Sequence, residues 1–234
     1  MTNSNPGTFA AKRATRSIPI VMAGSSLTVE NGFIDSHARP GGNITGLDWW
    51  VPELADKSYQ LLREAVPGAT RAARLWNPKN NLAHVFGDEH VRKIASDTGL
   101  TVVSAGITRA EDLAGALDRV VASRAEVLFV AGVSPIFPLY GEIAAFAAKR
   151  KLVSIGTDPG YPAVGGLFSY SADSSAHLGR LPSYVDRILR GAKPGDLPVE
   201  FPTKFELVLN IKTAKAIGVT FSPAFMLRVD RTIE

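Results

Sequence analysis

Short, mostly apolar runs recur through the middle of the chain at Ala72–Trp76, Thr101–Ala105, Val127–Ala131 and Leu152–Gly156. Their starts lie 25 to 29 residues apart, room for a strand, a loop, a helix and a return. The intervening segments repeat near 3.6. One carries Val85, Phe86, His90, Val91, Ile94 and Ala95; the next Leu113, Ala116, Leu117, Val120 and Val121; the third Leu139, Ile143, Phe146 and Ala147. Thr108 precedes Glu111 by three ahead of the second segment, which predicts a capping box. Strands this apolar are buried on both faces, which predicts a parallel sheet covered by helices with right-handed crossovers.

The flanks continue the pattern. Ile18–Ala23 and Asn43–Leu47 read as strands, and Glu53–Val66 as a helix with Leu54, Leu61, Leu62 and Ala65 on one face, ended by Pro67-Gly68. Beyond the block come a strand at Leu167–Ser171 and a helix through Leu178, Leu181, Val185, Ile188 and Leu189. Pro182 within that helix predicts a kink or a late start. Gly191-Ala-Lys-Pro194 breaks the helix, Pro198 and Pro202 hold the chain extended, and Phe205–Asn210 is the last predicted strand. Prolines so placed do not suit a central strand; they suit a segment crossing between lobes.

Composition narrows the function classes. The longest apolar runs, such as Ile18–Ala23 and Val127–Gly132, fall short of the roughly 20 residues of a membrane-spanning helix. With no cysteine there is no disulfide, thiolate metal site or cysteine nucleophile. The net charge is +4, and the basic residues (Lys12, Arg13, Arg16; Arg71, Arg74; Lys149, Arg150, Lys151) are scattered and not interleaved with aromatics. They read as solvated helix ends and strand flanks, not as a nucleic-acid surface. The first fifteen residues lack the apolar core of a secretory signal.

Gly41-Gly42-Asn43-Ile44-Thr45-Gly46 has the wrong spacing for a dinucleotide loop and leads into a strand, so it reads as a turn. His37, His84, His90 and His177 show no metal-ligand spacing, no G-x-S-x-G elbow is present, and no cofactor is expected. The strand ends are more informative, because open α/β sheets bind ligands there. Ser25 and Ser26 follow the first strand, Asn77 and Asn81 lie beyond Trp76, Ser134 follows Ala131, and Asp158 and Tyr161 follow Gly156. Small polar groups on one edge are what a binding cleft needs. Asp158 stands out as a carboxylate for an amine or hydroxyl, with an Asx-turn or helix cap as its plainer role. Trp76, Tyr161 and Tyr170 would suit an aromatic or amino-acid-like solute, or equally core packing.

Longer stretches carry a resemblance. Tyr184-Val-Asp-Arg-Ile-Leu-Arg-Gly-Ala-Lys-Pro-Gly-Asp-Leu-Pro-Val-Glu-Phe-Pro-Thr-Lys-Phe-Glu-Leu-Val-Leu-Asn-Ile-Lys-Thr-Ala-Lys-Ala-Ile-Gly218 resembles the C-terminal signature of the extracytoplasmic substrate-binding proteins of bacterial ABC transporters. Ala38-Arg-Pro-Gly-Gly-Asn-Ile-Thr-Gly46, Ala55-Asp-Lys-Ser-Tyr-Gln-Leu-Leu62 and Leu75-Trp-Asn-Pro78 are similar to internal motifs of that family. The resemblance runs from Ala10 to the end.

It implies an α/β fold of the two-lobed type I periplasmic binding protein kind, with parallel sheets flanked by helices. The division implied is residues 1–68 with 172–200 as lobe one and 69–171 with 201–234 as lobe two. By the same analogy Ser25 and Ser26 face a cleft from lobe one. Asn77, Asn81, Ser134, Asp158 and Tyr161 face it from lobe two, and Tyr170 lies near a hinge. The implied function is a periplasmic, non-enzymatic solute-binding component that presents a small molecule to a membrane permease, with no nucleic-acid partner. A cytosolic α/β enzyme and the ligand-sensing domain of a regulator are the alternatives. The family pattern also holds an export signal and earlier strands before Ala10, so lobe one is expected to be incomplete here, with Ile18–Ala23 as an exposed sheet edge and low stability or association as the result.

Overall fold

The computed structural model describes residues 1–49, 53–79 and 87–234; Asn81, His84, Val85 and Phe86 lie outside the described residues. The chain forms two units, Met1–Val51 with Ala172–Phe205 and Pro52–Ser171 with Glu206–Glu234. The first opens with helix α1 (Asn5–Ala14) and strands β1 (Ile20–Ser25) and β2 (Ile44–Asp48). The second begins with α2 (Glu53–Ala65), β3 (Arg71–Trp76), α3 (Asp88–Thr98), β4 (Thr101–Gly106), α4 (Leu113–Ala122) and β5 (Val127–Val130). It continues through α5 (Tyr140–Lys149), β6 (Val153–Gly156), the single turn α6 (Gly160–Ala163) and β7 (Phe168–Ala172). Helices α7 (Ser174–Leu178) and α8 (Leu181–Leu189) return to the first unit. Strand β8 (Phe205–Asn210), α9 (Ile211–Ile217), α10 (Pro223–Met226) and β9 (Arg231–Ile233) complete the second.

The second unit is built on a sheet of order β4-β3-β5-β6-β7-β8-β9. Pairing is parallel from β4 through β7 and between β8 and β9. Along β5 successive side chains alternate between two cores, as a strand's period of two requires. Val127 and Phe129 join Tyr59, Leu62, Ala72, Phe168 and Ile217 on one face, and Leu128 and Val130 join Leu75, Leu113, Ala116 and Ile143 on the other. Tyr59 stacks on Phe129 with ring centroids 4.8 Å apart.

Several expectations change here. Helix α2 sits in the second unit, not with residues 1–68 of the first, because Tyr59, Leu61 and Leu62 pack with Ala72, Ile94 and Phe129. A helical stripe records that a face is buried, not against which sheet. Burial on both faces describes β3, β5 and β6 but not β4, whose Val102 and Val103 are partly exposed at the sheet's outer position. Arg74 is no solvated flank: it is 2% exposed, with its guanidinium 4.0 Å from the centre of the Trp76 ring and its Nε donating to Ser104 Oγ at 2.6 Å. Ahead of α4 the reciprocal cap comes from Asp112 and not from Glu111. Its carboxylate accepts from the Thr108 N–H and hydroxyl and from the Arg109 N–H.

In the first unit β1 and β2 pair in parallel, Ile20 with Ile44 through Met22 with Gly46. Ile20, Met22 and Ile44 pack with Phe33, Ile34 and Val199, and Val21 and Leu47 pack with Leu181, Tyr184 and Leu197 of the other layer. Gly46 has φ +129°, and a Cβ there would lie 2.3 Å from the Met22 carbonyl oxygen, so only glycine fits. The outward ladder groups of β1 are occupied in part. Thr2 donates to the Val21 carbonyl at 3.0 Å and accepts from the Ala23 N–H at 2.7 Å. On the other side Glu200 bridges to Leu47. The helix containing Pro182 breaks after Leu178 and restarts at Leu181, which puts Pro182 in the first turn, where its missing N–H would be unpaired anyway.

Candidate functional site

Strand register assembles the site of the second unit. Leu75 pairs with Val130, and Val130 with Gly156, so β3, β5 and β6 finish in line. The residues that follow, Asn77, Gly132 to Ser134, and Thr157-Asp158, therefore emerge at one carboxyl edge of the sheet. Hydrogen bonds tie these loops together. Asn77 Nδ2 donates to the Ser134 carbonyl at 2.8 Å, while Asn77 Oδ1 accepts from the Lys79 N–H at 2.9 Å. The Gly132 N–H donates to Thr157 Oγ1 at 2.7 Å.

Asp158 is half-buried, and its Oδ1 accepts from the Gly160 N–H at 2.8 Å, turning the chain into α6. Burial raises its pKa above the usual carboxylate range, and the Gly160 hydrogen bond opposes that rise. Oδ2 has no hydrogen-bond partner among the described residues. The cap and the candidate contact thus coexist on one carboxylate.

Sequence reasoning missed Tyr140, the first residue of α5. It is 4% exposed, and its hydroxyl is buried without a partner. A side chain on Gly132 would begin 3.2 Å from that hydroxyl, 3.2 Å from Asp158 Cβ and 2.9 Å from Thr157 Oγ1. Gly132 is the bare point around which these groups gather. Burial first, and then the Asp158 charge, push the Tyr140 pKa up, so its hydroxyl stays protonated and able to donate. Its one sequence signal was a tyrosine opening a helix just past a strand-end loop.

Not every nominated residue faces the edge. Tyr161 is fully buried, its ring pressed between Gly156 and Gly166 and its hydroxyl donating to Ser154 Oγ at 2.9 Å. The one-turn α6 folds it back under the sheet, so it is a core residue here. Ser134 is exposed. Tyr170 lies on β7, two residues before the chain enters the first unit at Ala172. Its pKa is raised by burial, with Arg228 opposing and Asp230 adding.

The carboxyl edge of the first unit is built differently. Ser25 is fully buried, with its hydroxyl 2.8 Å from that of Thr8. Ser26 is half-buried, and its backbone is clasped by the Asn5 amide and by Asn31 Nδ2. Beside them, Asp48 is fully buried and accepts from the Thr28 N–H and hydroxyl, with His37 Nε2 at 3.3 Å. Trp49 Nε1 donates to the Ala23 carbonyl at 2.6 Å, and the Trp49 ring meets His177 edge-on at 4.7 Å. His177 is 5% exposed with Nε2 unpartnered, and burial lowers its pKa. None of Asp48, Trp49 and His177 was nominated from sequence. Among the described residues no group of three or more His, Asp or Glu could hold a metal ion, and no helix is long and apolar enough to cross a membrane.

A parallel α/β architecture with polar groups gathered at the carboxyl ends of its strands places them where open sheets of this class take up small molecules. The family model of the ABC transporter substrate binding proteins matches residues 2–233, and the chain belongs to that family. It is 26% identical over 216 residues to a tyrosine-binding protein of Clostridioides difficile (strain R20291), covering 92% of this chain and 61% of that protein. The chain thus spans about three-fifths of that relative's length. Among solved structures, a conserved domain protein from Vibrio cholerae aligns over 98% of this chain and 76% of its own, with a TM-score of 0.86 at 24% identity. An ABC domain from Streptococcus pneumonia, solved in complex with L-tryptophan, aligns over 98% and 78% with a TM-score of 0.84 at 22% identity. A ligand-free, open substrate-binding protein with adhesive properties from Clostridium difficile aligns over 99% and 76% with a TM-score of 0.75 at 23% identity. These structures share the fold.

Proposed function

We propose that this chain is the solute-gripping part of a non-enzymatic, periplasmic binding protein that delivers a small molecule to the membrane permease of an ABC importer. The observation that carries the reading is the carboxyl edge of the second unit, where the Asp158 side chain, with Oδ2 free of hydrogen bonds among the described residues, and the unpartnered Tyr140 hydroxyl flank Gly132. A carboxylate and a phenol so placed suit a solute with an ammonium or hydroxyl group; paired with it, the buried Tyr140 hydroxyl gains the hydrogen bond it lacks. Ser134 supplies a further hydroxyl, and Asn77 holds the Ser134 loop in place. Ser26, at the carboxyl edge of the first unit, and Tyr170, on β7, are the other residues proposed for solute binding. Ser25 and Tyr161, turned inward, support the edge without touching the solute.

Amino acids, aromatic ones first, are the solute class. The tyrosine-binding relative supports this, as does the pairing of a carboxylate with an ammonium. Isothermal titration with tyrosine, tryptophan, phenylalanine, glycine and a neutral sugar tests it. Tyrosine or tryptophan binds, the sugar does not, and Asp158→Ala weakens binding by about 10- to 100-fold, the worth of one charge-assisted hydrogen bond. An Asp158→Ala protein that binds the same amino acid as tightly as the native chain would overturn the reading.

A further inference from the structure

At the amino ends of β1 and β2, the opposite edge of the first unit from Ser25 and Asp48, lies a cavity of about 840 Å³. Its walls are the last turns of α1, the loop to β1, the Gly41–Asn43 turn that feeds β2, and Lys193-Pro194. Four lining side chains are cationic, Lys12, Arg13, Arg16 and Lys193, and against the wall, beside Gly41, stands the carboxylate of Asp35. None of the four forms an ion pair among the described residues, whereas Arg180 and Arg190 of the same unit are matched to Glu200 and Asp186. The Lys12 ammonium hydrogen-bonds only a neutral group, the Gly32 carbonyl. The carboxyl end of α1 offsets roughly half a charge. Against four cations, that half charge and the Asp35 carboxylate leave the site net positive.

The walls are fixed by backbone contacts. Gly41 N–H donates to the Gly195 carbonyl at 3.2 Å, and Asn43 Nδ2 donates to the Ile18 carbonyl at 2.7 Å. The Ser17 and Ile18 N–H groups donate to Thr15 Oγ1, which orders the loop that carries Arg16. Phe9, 41% exposed and packed edge-on against Phe33 at 4.6 Å, adds an apolar wall. All four cations are exposed, so water and salt screen their mutual repulsion, and a multiply charged anion that bridges them gains Coulomb energy from each.

We propose that this cavity is a binding site for a phosphate-bearing anion, separate from the solute edge. Two guanidinium forks and two ammonium groups match a tetrahedral group with several charged oxygens better than they match a single carboxylate. The phosphate can be free or carried on a lipid headgroup, and both present the same chemistry to the four cations.

The test compares the native chain with two triple variants of equal charge loss. Arg13→Gln/Arg16→Gln/Lys193→Gln removes three of the four cavity cations and leaves Lys12; Arg124→Gln/Arg150→Gln/Lys151→Gln removes exposed charge from the second unit. Binding is read by titration calorimetry with inorganic pyrophosphate, and by co-sedimentation with vesicles of phosphatidylglycerol in phosphatidylcholine against phosphatidylcholine alone. The native chain binds at least one of the two anions, and binding weakens as salt rises. The cavity variant loses on the order of 10- to 100-fold in that arm, while the second-unit variant stays within about twofold. Binding to pyrophosphate assigns the free anion, and binding to anionic vesicles that pyrophosphate does not displace assigns the lipid. Equal loss in the two variants, or no binding of either anion by a native chain with an intact melting transition, overturns the proposal.

Discussion

Asn77 and Ser134 join the loops after two neighbouring strands through one hydrogen bond, 2.8 Å from Asn77 Nδ2 to the Ser134 carbonyl oxygen. The bond belongs to the side chain, so it can be removed without touching the backbone. Asn77→Ala is expected to cost about 1 kcal/mol in urea unfolding. Because the same amide positions Ser134, it should also weaken amino-acid binding. A variant that loses stability but keeps full affinity would take Asn77 out of the site.

Tyr161 separates core from edge. Tyr161→Phe removes the hydroxyl donated to Ser154 and should lower stability by about 1 kcal/mol. Tyr161→Ala leaves a void beneath β6 and should cost about 3–5 kcal/mol. Solute affinity of the Phe variant, measured by calorimetry, should equal that of the native chain.

Among the glycines, Gly46 and Gly42 should behave oppositely. Gly46→Ala would drive a methyl into the Met22 carbonyl at a φ that alanine avoids, and should cost at least about 3 kcal/mol or prevent soluble expression. Nothing lies within 4 Å of a Cβ placed on Gly42, and Gly42→Ala should melt close to the native temperature. Melting curves of the two variants decide it.

For Asp158 the pH dependence has a definite sign. Its folded pKa is raised by burial, so the unfolded carboxyl ionises first as pH climbs. The stabilising contribution is complete below the ordinary value of 3.8 and is lost as pH rises through the folded value. Asp158→Asn, neutral throughout and still able to cap Gly160, should melt above the native chain at pH 7 and alongside it near pH 3.5, while amino-acid binding falls. Equal melting at pH 7 would contradict the burial argument.

His177 has the reverse sign. Burial depresses its folded pKa, so its contribution is present above the ordinary value of 6.5 and is lost as pH falls through the folded value. His177→Gln should flatten the part of the acid-side decline in melting temperature that begins just below neutrality. If native and variant curves stay parallel from pH 7.5 to 5, the ring is not titrating against its burial.

What could be read from the chain divides along physical lines. Val127–Val130 and its neighbours were legible because burial on two faces demands unbroken apolar runs, and the register that follows brings Asn77, Ser134 and Asp158 to one edge. Tyr161 was not, because whether a strand-end residue turns outward or under the sheet is decided by a one-turn helix and the space left by Gly156 and Gly166. Arg74 was misread because a charge in a strand can be buried when an aromatic ring and a hydroxyl receive it. Tyr140 and His177 escaped because an unpaired buried polar atom is a property of packing, invisible to periodicity. Strand β9, three residues with two exposed, has no apolar run to announce it.

The chain changes unit three times, after Val51, Ser171 and Phe205. Neither half is a continuous stretch of polypeptide, so no single cut yields an intact piece of either. During synthesis the sheet begun at Arg71 cannot receive its last two strands until the terminal segment has left the ribosome. A stop codon placed shortly before Glu206 should therefore release a product that proteases destroy, even though every residue proposed to touch the solute has already been made.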